Sequence, residues 1–466
     1  MKFAAGLLAL TIAFSSSPLG YGGEVSAAQP ERPVMSGTMQ NFVIDSYDDE
    51  LSEQGASFSA KYDPRKSGKV TKIREQGQYG SCWVFASVAA MECNLIKKGL
   101  ARKSIDLSEN QLLYFFYNRQ TDPIGYTKGD KNIPLKADWL DTGGNGTALS
   151  LSAMTWSGVT TEKKSVYPST PANSLSYVHD YVVKNVHYYN YSVSDVKKAV
   201  KKYGAVAVGM CYDTKYVNEY TGAAYCPTEE YQNHEVAIVG WDDSYSKENF
   251  AYTPKANGAW IVKNSYGTDV GDKGYFYISY YDSSLAGPVA YDMVKKSASY
   301  DNNYQYDGTS SDYFFNTEKG MSVANVFKAK AKKGKKEKLK AIGLCTYSDN
   351  TKYSIQIYTN VKNKKNPESG KKMLASAQTG KVTDAGYVTI PLKKGVTLKY
   401  GQTYAVVVKI LSKSRIGVDG TEEYDWISYS ANVSKNQSYV KYDGYWYDYG
   451  SMFKYNFRIK AFTDTL

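Results

Sequence analysis

The sequence predicts an α+β unit followed by an all-β unit, and three observations carry that prediction. Residues 82–96 form one apolar run closed by Lys97, Lys98 and Gly99, which are ordinary helix-stop signals. Apolar strand runs lie downstream at residues 234–241, 259–263 and 274–281. Beyond residue 297 the pattern changes to short alternating runs, such as residues 353–358, 386–390 and 403–408, with turn residues between them. That spacing is the signal of a β-sandwich or jelly roll.

The first helix carries its own chemistry. Residues 76–87 read Gln-Gly-Gln-Tyr-Gly-Ser-Cys-Trp-Val-Phe-Ala-Ser, which puts Cys82 on the first helical turn. A thiol there sits beside unpaired backbone N–H groups and the positive dipole end, which favour thiolate. The bland alternative is a buried cysteine acting as a small hydrophobe. A nucleophile needs a base, and the chain has 3 histidines: His179, His187 and His234. His234 opens an apolar strand, in Asn-His-Glu-Val-Ala-Ile-Val-Gly-Trp, whereas His179 and His187 sit in Tyr- and Val-rich context that suits packing or surface roles. Asn264 ends another strand, in Ala-Trp-Ile-Val-Lys-Asn-Ser-Tyr-Gly, and can accept from an imidazole N–H without adding charge.

These three blocks resemble the papain-like cysteine peptidases, whose cysteine block reads Gln-Gly-x-Cys-Gly-Ser-Cys-Trp. The chain order Cys, His, Asn matches as well. The resemblance implies a papain-like two-lobe fold, a helical lobe facing a β-barrel lobe, that hydrolyses peptide bonds in proteins. It implies Cys82 as nucleophile, His234 as base, Asn264 as the orienting residue, and Gln76 with the Cys82 backbone N–H as the oxyanion hole. Gly143 and Gly144, in Asp-Thr-Gly-Gly-Asn-Gly, match an extended wall that pairs with substrate backbone, where a side chain would block close approach.

The chain departs from the family at four places. Tyr79 and Asp141 stand where the family has a disulfide, so Tyr79 is expected to pack or hydrogen-bond toward the Gly143–Gly144 loop. Tyr266 replaces a tryptophan that shields the Asn–His bond from water. Glu235 follows the catalytic histidine, where the family has a small residue. On a strand it points away from His234, and in the family that direction faces the pocket for the second substrate residue before the cut. A carboxylate there would favour Lys or Arg in that position, unless a structural partner neutralises it. Glu92, in mid-helix, needs a partner if buried, and Lys263 is the family-like candidate.

Residues 1–27 read as a signal peptide: Lys2, an apolar segment at 3–14, and the small-residue site Val25-Ser26-Ala27-Ala28. The segment is too short to span a bilayer, so the protein is expected to be secreted, free or held at a surface by binding. Residues 28–57 are then a short pro-segment or an N-terminal arm, 58–296 the peptidase domain, and 297–466 the β domain. The last resembles, in pattern and position, the lectin-like domains that follow some secreted bacterial papain-like peptidases. A chain ending near Lys296 is expected to keep peptide cleavage. Further helices are expected at 107–117, capped by Ser108, at 147–156, and at 194–203 with a serine cap. The insert at 242–258 is expected to be a hairpin at the edge of the β lobe.

Net charge is +11, and eight lysines crowd residues 328–340. These read either as attraction to an anionic surface polymer or as a solvated hairpin guarding an edge strand. Without a recognised nucleic-acid module, an exported chain points away from nucleic acid. The 45 tyrosines could stack on sugars or cover sheet edges, which leaves carbohydrate or cell-surface polymer as possible partners of the β domain. Five cysteines leave at least one unpaired, and Cys211–Cys226 is the pairing the sequence favours. No CxxC or His-rich spacing suggests a metal, and no cofactor is expected. A competing reading is a surface adhesin whose peptidase lobe is a scaffold or a transamidase.

Overall fold

The computed structural model describes residues 58–135 and 138–466, together with a two-residue strand at Phe14–Ser15. Apart from that strand, the expected signal peptide and N-terminal arm lie outside the described residues.

Helix α1 (Cys82–Lys97) is buried at every position from Cys82 to Leu95, as a mostly apolar helix is, with its polar Ser87, Glu92 and Asn94 hydrogen-bonded inside. Around it stand α2 (Glu109–Tyr117), α3 (Gly146–Ala153) and α4 (Val193–Tyr203). Each of these three starts at a side-chain cap: Ser108 Oγ accepts from Gln111 N at 2.9 Å, Asn145 Oδ1 from Ala148 N at 2.8 Å, and Ser192 Oγ from Asp195 N at 3.0 Å. Two expectations change. The cap of α4 is Ser192, and α3 ends three residues early because Trp156 turns to φ +67° and stacks on Phe462 of the C-terminal domain, with ring centroids 5.5 Å apart.

The β lobe is built on antiparallel strands Val206–Met210, His234–Asp242, Ala259–Lys263 and Tyr275–Ser279, hydrogen-bonded in that order. Residues 243–258 connect the second and third of these. That segment holds a 3-10 turn at Lys247–Asn249 and packs Tyr245 on Tyr277 at 4.3 Å; it is the loop of the hairpin, not a hairpin of its own.

The C-terminal domain is two antiparallel layers around a second core. The outer layer runs Lys371–Lys372, Thr351–Thr359, Thr403–Ile410, Ser322–Lys328, Ser438–Tyr442, Tyr445–Asp448. The inner layer includes Lys336–Thr346, flanked by Gly386–Lys399 and Ile459–Thr465, so the lysine-rich segment leads into a central strand and guards no edge. Its lysines 332, 333 and 335 occupy an exposed turn, and Lys336, also exposed, opens the strand.

The two domains are not independent. The inner layer continues into the peptidase domain where Gly386 pairs with His187 and Tyr387 with Val186. A second ribbon crosses at Lys131–Pro134, paired with Ile427–Ser430. Phe314, Tyr347, Tyr387, Trp426 and Tyr429 share one apolar cluster with Trp83, Leu149, Val186 and Tyr188. Beside it, fully buried Arg458 bridges Asp307 (3.4 Å) and Asp419 (3.0 Å), and Lys460 reaches Asp307 at 2.8 Å. The expected free-standing peptidase is therefore replaced by two domains with a common core.

Candidate active site

Cys82 opens α1 and is 7% exposed; His234 opens its strand, and Asn264 follows the neighbouring one. His234 Nε2 lies 2.8 Å from Asn264 Oδ1. The same oxygen accepts from Ser265 N at 2.9 Å, which marks it as an acceptor and puts the imidazole hydrogen on Nε2. The basic lone pair is then on Nδ1, as a base for a thiol requires. Burial pushes the Cys82 thiol up to about 12 and the imidazole down to about 4. Each charge alone is disfavoured in so dry a site, so thiolate and imidazolium are stable only when they form together.

Gln76 is anchored from both sides. Its Oε1 accepts from Ser265 Oγ at 2.7 Å, and its Nε2 donates to Tyr79 O at 2.8 Å. One amide hydrogen is thus used on the backbone, leaving the second for a substrate oxygen. Ser265 ties this amide to the Asn264 segment, a link that the motif comparison does not reveal.

Gly143 and Gly144 lie beside α1. The Tyr117 hydroxyl donates to Gly143 O at 2.5 Å, and Gly144 adopts φ +156° directly over Trp83. A Cβ on Gly144 would meet the indole ring at 2.5 Å. The Tyr79 ring sits edge-on to Tyr167 at 6.2 Å.

Glu235 is 4% exposed and turns under the first turn of α3. Its Oε1 accepts from Gly146 N at 2.7 Å, while Oε2 has no hydrogen-bond partner among the described residues. Burial, opposed by that one amide, pushes the carboxyl up to about 8, so at pH 7 it is mostly neutral. Glu92 is held through a bridge: Lys263 Nζ donates to Thr71 Oγ1 at 2.9 Å, and Thr71 donates to Glu92 Oε2. The expected Lys263 partnership is therefore indirect, relayed by a threonine that the sequence did not single out.

His179 and His187 do not join the site. His187 stacks on Tyr203 at 4.8 Å, with Nδ1 3.8 Å from Asp384, and His179 lies 6.1 Å from Trp156. Cys211 and Cys226 pack together with Tyr216, but both are free thiols, as are the other three cysteines. The expected disulfide is absent, and Cys226 Sγ instead donates to Thr228 O at 3.1 Å. Among the described residues no cluster of three or more His, Cys, Asp or Glu is placed to hold a metal.

Comparison with known proteins agrees with this geometry. The solved structure of the cysteine protease and lectin-like domains of Cwp84, a surface layer associated protein of Clostridium difficile, superposes with a TM-score of 0.74 at 26% identity, covering 91% of each chain. Curated relatives include cysteine proteinase 1 of Entamoeba histolytica, 32% identical over 46% of this chain and 61% of its own length, and vignain of Vigna mungo, 30% identical over 48% and 55%. The chain thus spans about three fifths of the length of these curated relatives. A lectin-like domain model matches residues 303–463. The model for the papain family of cysteine proteases matches residues 58–295, more than half of the chain, and the chain belongs to that family.

Proposed function

We propose that this chain is a secreted cysteine endopeptidase that cuts protein substrates through Cys82, His234 and Asn264, with Gln76 completing the oxyanion hole. The observation that carries the proposal is the imidazole of His234, buried, fixed in its Nε2–H form by Asn264, with Nδ1 as the base. Cys82 passes its proton to Nδ1 and the thiolate attacks the scissile carbonyl. The developing oxyanion takes hydrogen bonds from the Gln76 amide and the Cys82 N–H. Collapse transfers the imidazolium proton to the leaving amine, and water then hydrolyses the acyl-enzyme by the same route reversed. These steps call for no cofactor or metal.

Gly143 and Gly144 are proposed as the wall that pairs with substrate backbone, and Glu235 as the floor of the neighbouring side-chain pocket. Export rests on the N-terminal segment; among the described residues no helix is long and apolar enough to cross a membrane. The C-terminal domain is proposed to bind carbohydrate or a cell-surface polymer, in keeping with its match to a lectin-like family model. Hydrolysis of denatured casein by Cys82→Ala and His234→Ala variants of the full chain tests the mechanism. Both should lose turnover while keeping wild-type melting, and Asn264→Ala should lose less. Cleavage by Cys82→Ala at the wild-type rate rejects it.

A further inference from the structure

The lone pair of His234 is already occupied. Tyr266 Oη lies 3.1 Å from His234 Nδ1, and the phenol ring stacks on the imidazole with centroids 4.7 Å apart and planes 23° apart. Asn264 fixes the imidazole hydrogen on Nε2, so Nδ1 can only accept, and the phenol must be the donor. Cys82 makes no hydrogen bond to the imidazole among the described residues. Its sulfur is nonetheless near enough to Tyr266 for thiolate charge to disfavour a phenolate. Tyr212 packs edge-on to both rings, 5.6 Å from His234 and 5.7 Å from Tyr266.

We propose that the Tyr266 hydroxyl is a positioning residue that caps the catalytic base: in the free enzyme it donates to His234 Nδ1 and so opposes proton transfer from Cys82. The inference rests on the Cys82–His234 reading above. When the thiol hands its proton to Nδ1, that nitrogen becomes an N–H donor engaged by the thiolate, so the phenol, which keeps its own proton, loses its acceptor. The cap therefore stabilises thiol plus neutral imidazole against the ion pair by the worth of one hydrogen bond. That corresponds to roughly one pH unit, or about tenfold in the ion-pair population. An indole or phenyl ring at this position would cover the same face without a hydroxyl to donate.

The titratable groups against the imidazole are Tyr212 and Tyr266; the Cys82 thiol acts on Tyr266, and the Glu235 carboxyl acts on the sulfur from the next residue along the strand. Burial raises the Tyr266 hydroxyl above its ordinary value, so it stays protonated and able to donate through the pH range of the assay. Burial likewise raises Cys82 and Glu235 and lowers His234, so each opposes an unpaired charge.

The test is the rate of Cys82 alkylation by iodoacetamide from pH 4 to 9, read by mass spectrometry on the full chain, for wild type, Tyr266→Phe and Tyr266→Leu. Phe keeps the stacked ring and removes only the hydroxyl. The labelling rate on the plateau near neutral pH should rise on the order of tenfold in Tyr266→Phe, with the acid midpoint moving up and the rate well below it unchanged, because only the neutral-imidazole state loses a bond. An unchanged or lowered plateau rate in Tyr266→Phe overturns the proposal, as does a rise seen in Tyr266→Leu alone, which would assign the effect to the ring. If the Phe variant does not fold, as judged by melting, the Leu variant is read alone and an unchanged or lowered plateau rate overturns the idea. Wild-type labelling and hydrolysis at Cys82 test the peptidase reading separately, whichever way the variants go.

Discussion

Gly386 of the C-terminal domain and Val186 of the peptidase domain approach so closely that a Cβ on the glycine would stand 2.0 Å from the valine carbonyl oxygen. Two backbones meet there because Tyr387 and Val186 are register partners in one ladder. Tyr347 then stacks on Tyr188 at 5.6 Å, with planes 9° apart, just behind that seam. A peptidase domain ending at Lys296 would leave Val186, Tyr188 and the edge of the Tyr181–Tyr188 strand uncovered. Such a fragment is expected to aggregate or to lose activity far below the melting temperature of the full chain. In the full chain, Tyr347→Ala should cost about 3 kcal/mol or more. Urea unfolding followed by activity and by tryptophan fluorescence should give one coincident transition, displaced in the variant.

The Glu92–Thr71–Lys263 relay joins α1 to the strand that leads to Asn264. Thr71→Val keeps the volume but removes the hydroxyl, leaving the buried Glu92 carboxyl and Lys263 ammonium without their bridge. A loss of about 1–3 kcal/mol in urea unfolding is expected.

Glu235 ties stability to pH. Its folded value is about 8 against an ordinary 4.5, so between those values the folded chain holds a proton that the unfolded chain releases. Stability contributed by this group is complete below 4.5 and is lost as pH rises toward 8. Glu235→Gln should remove that slope from the pH dependence of the urea midpoint. Around pH 8 the proposed pocket would change from neutral to anionic. The turnover ratio on matched Arg and Leu substrates, with the residue placed second before the cut, should rise through pH 8 in wild type and stay flat in Glu235→Gln.

Gln76→Ala should lower turnover on denatured casein on the order of tenfold to a thousandfold, the range for one oxyanion donor. Ser265→Ala leaves the amide in place but releases its Oε1, and a smaller fall in turnover with little change in KM is expected.

The proposed catalytic residues could be singled out because the chemistry confines them: one cysteine on a helix start, few histidines, and an asparagine ending a strand. The helix caps at Ser108 and the sandwich pattern were legible for local reasons, as side-chain capping and alternation act over a few residues. What the sequence hid was long-range. Thr71 between Lys263 and Glu92, Ser265 on Gln76, and Gly146 on Glu235 are contacts between segments 89 or more residues apart in every case but one, Thr71 with Glu92. Alternating strands looked like a separate domain, and nothing local announces that Tyr347 and Tyr387 belong to the peptidase core. The Cys211–Cys226 pairing failed for a related reason: spacing alone made it attractive, whereas Cys226 is directed to Thr228.

The most direct measurement of the central claim is the rate of iodoacetamide labelling at each of the five cysteines near neutral pH, in wild type and in His234→Ala. The account predicts fast, single-site labelling at Cys82 in wild type and a large loss of that rate in the variant, with Cys93, Cys211, Cys226 and Cys345 slow in both. Equal labelling of several cysteines, or a Cys82 rate indifferent to His234, would contradict it.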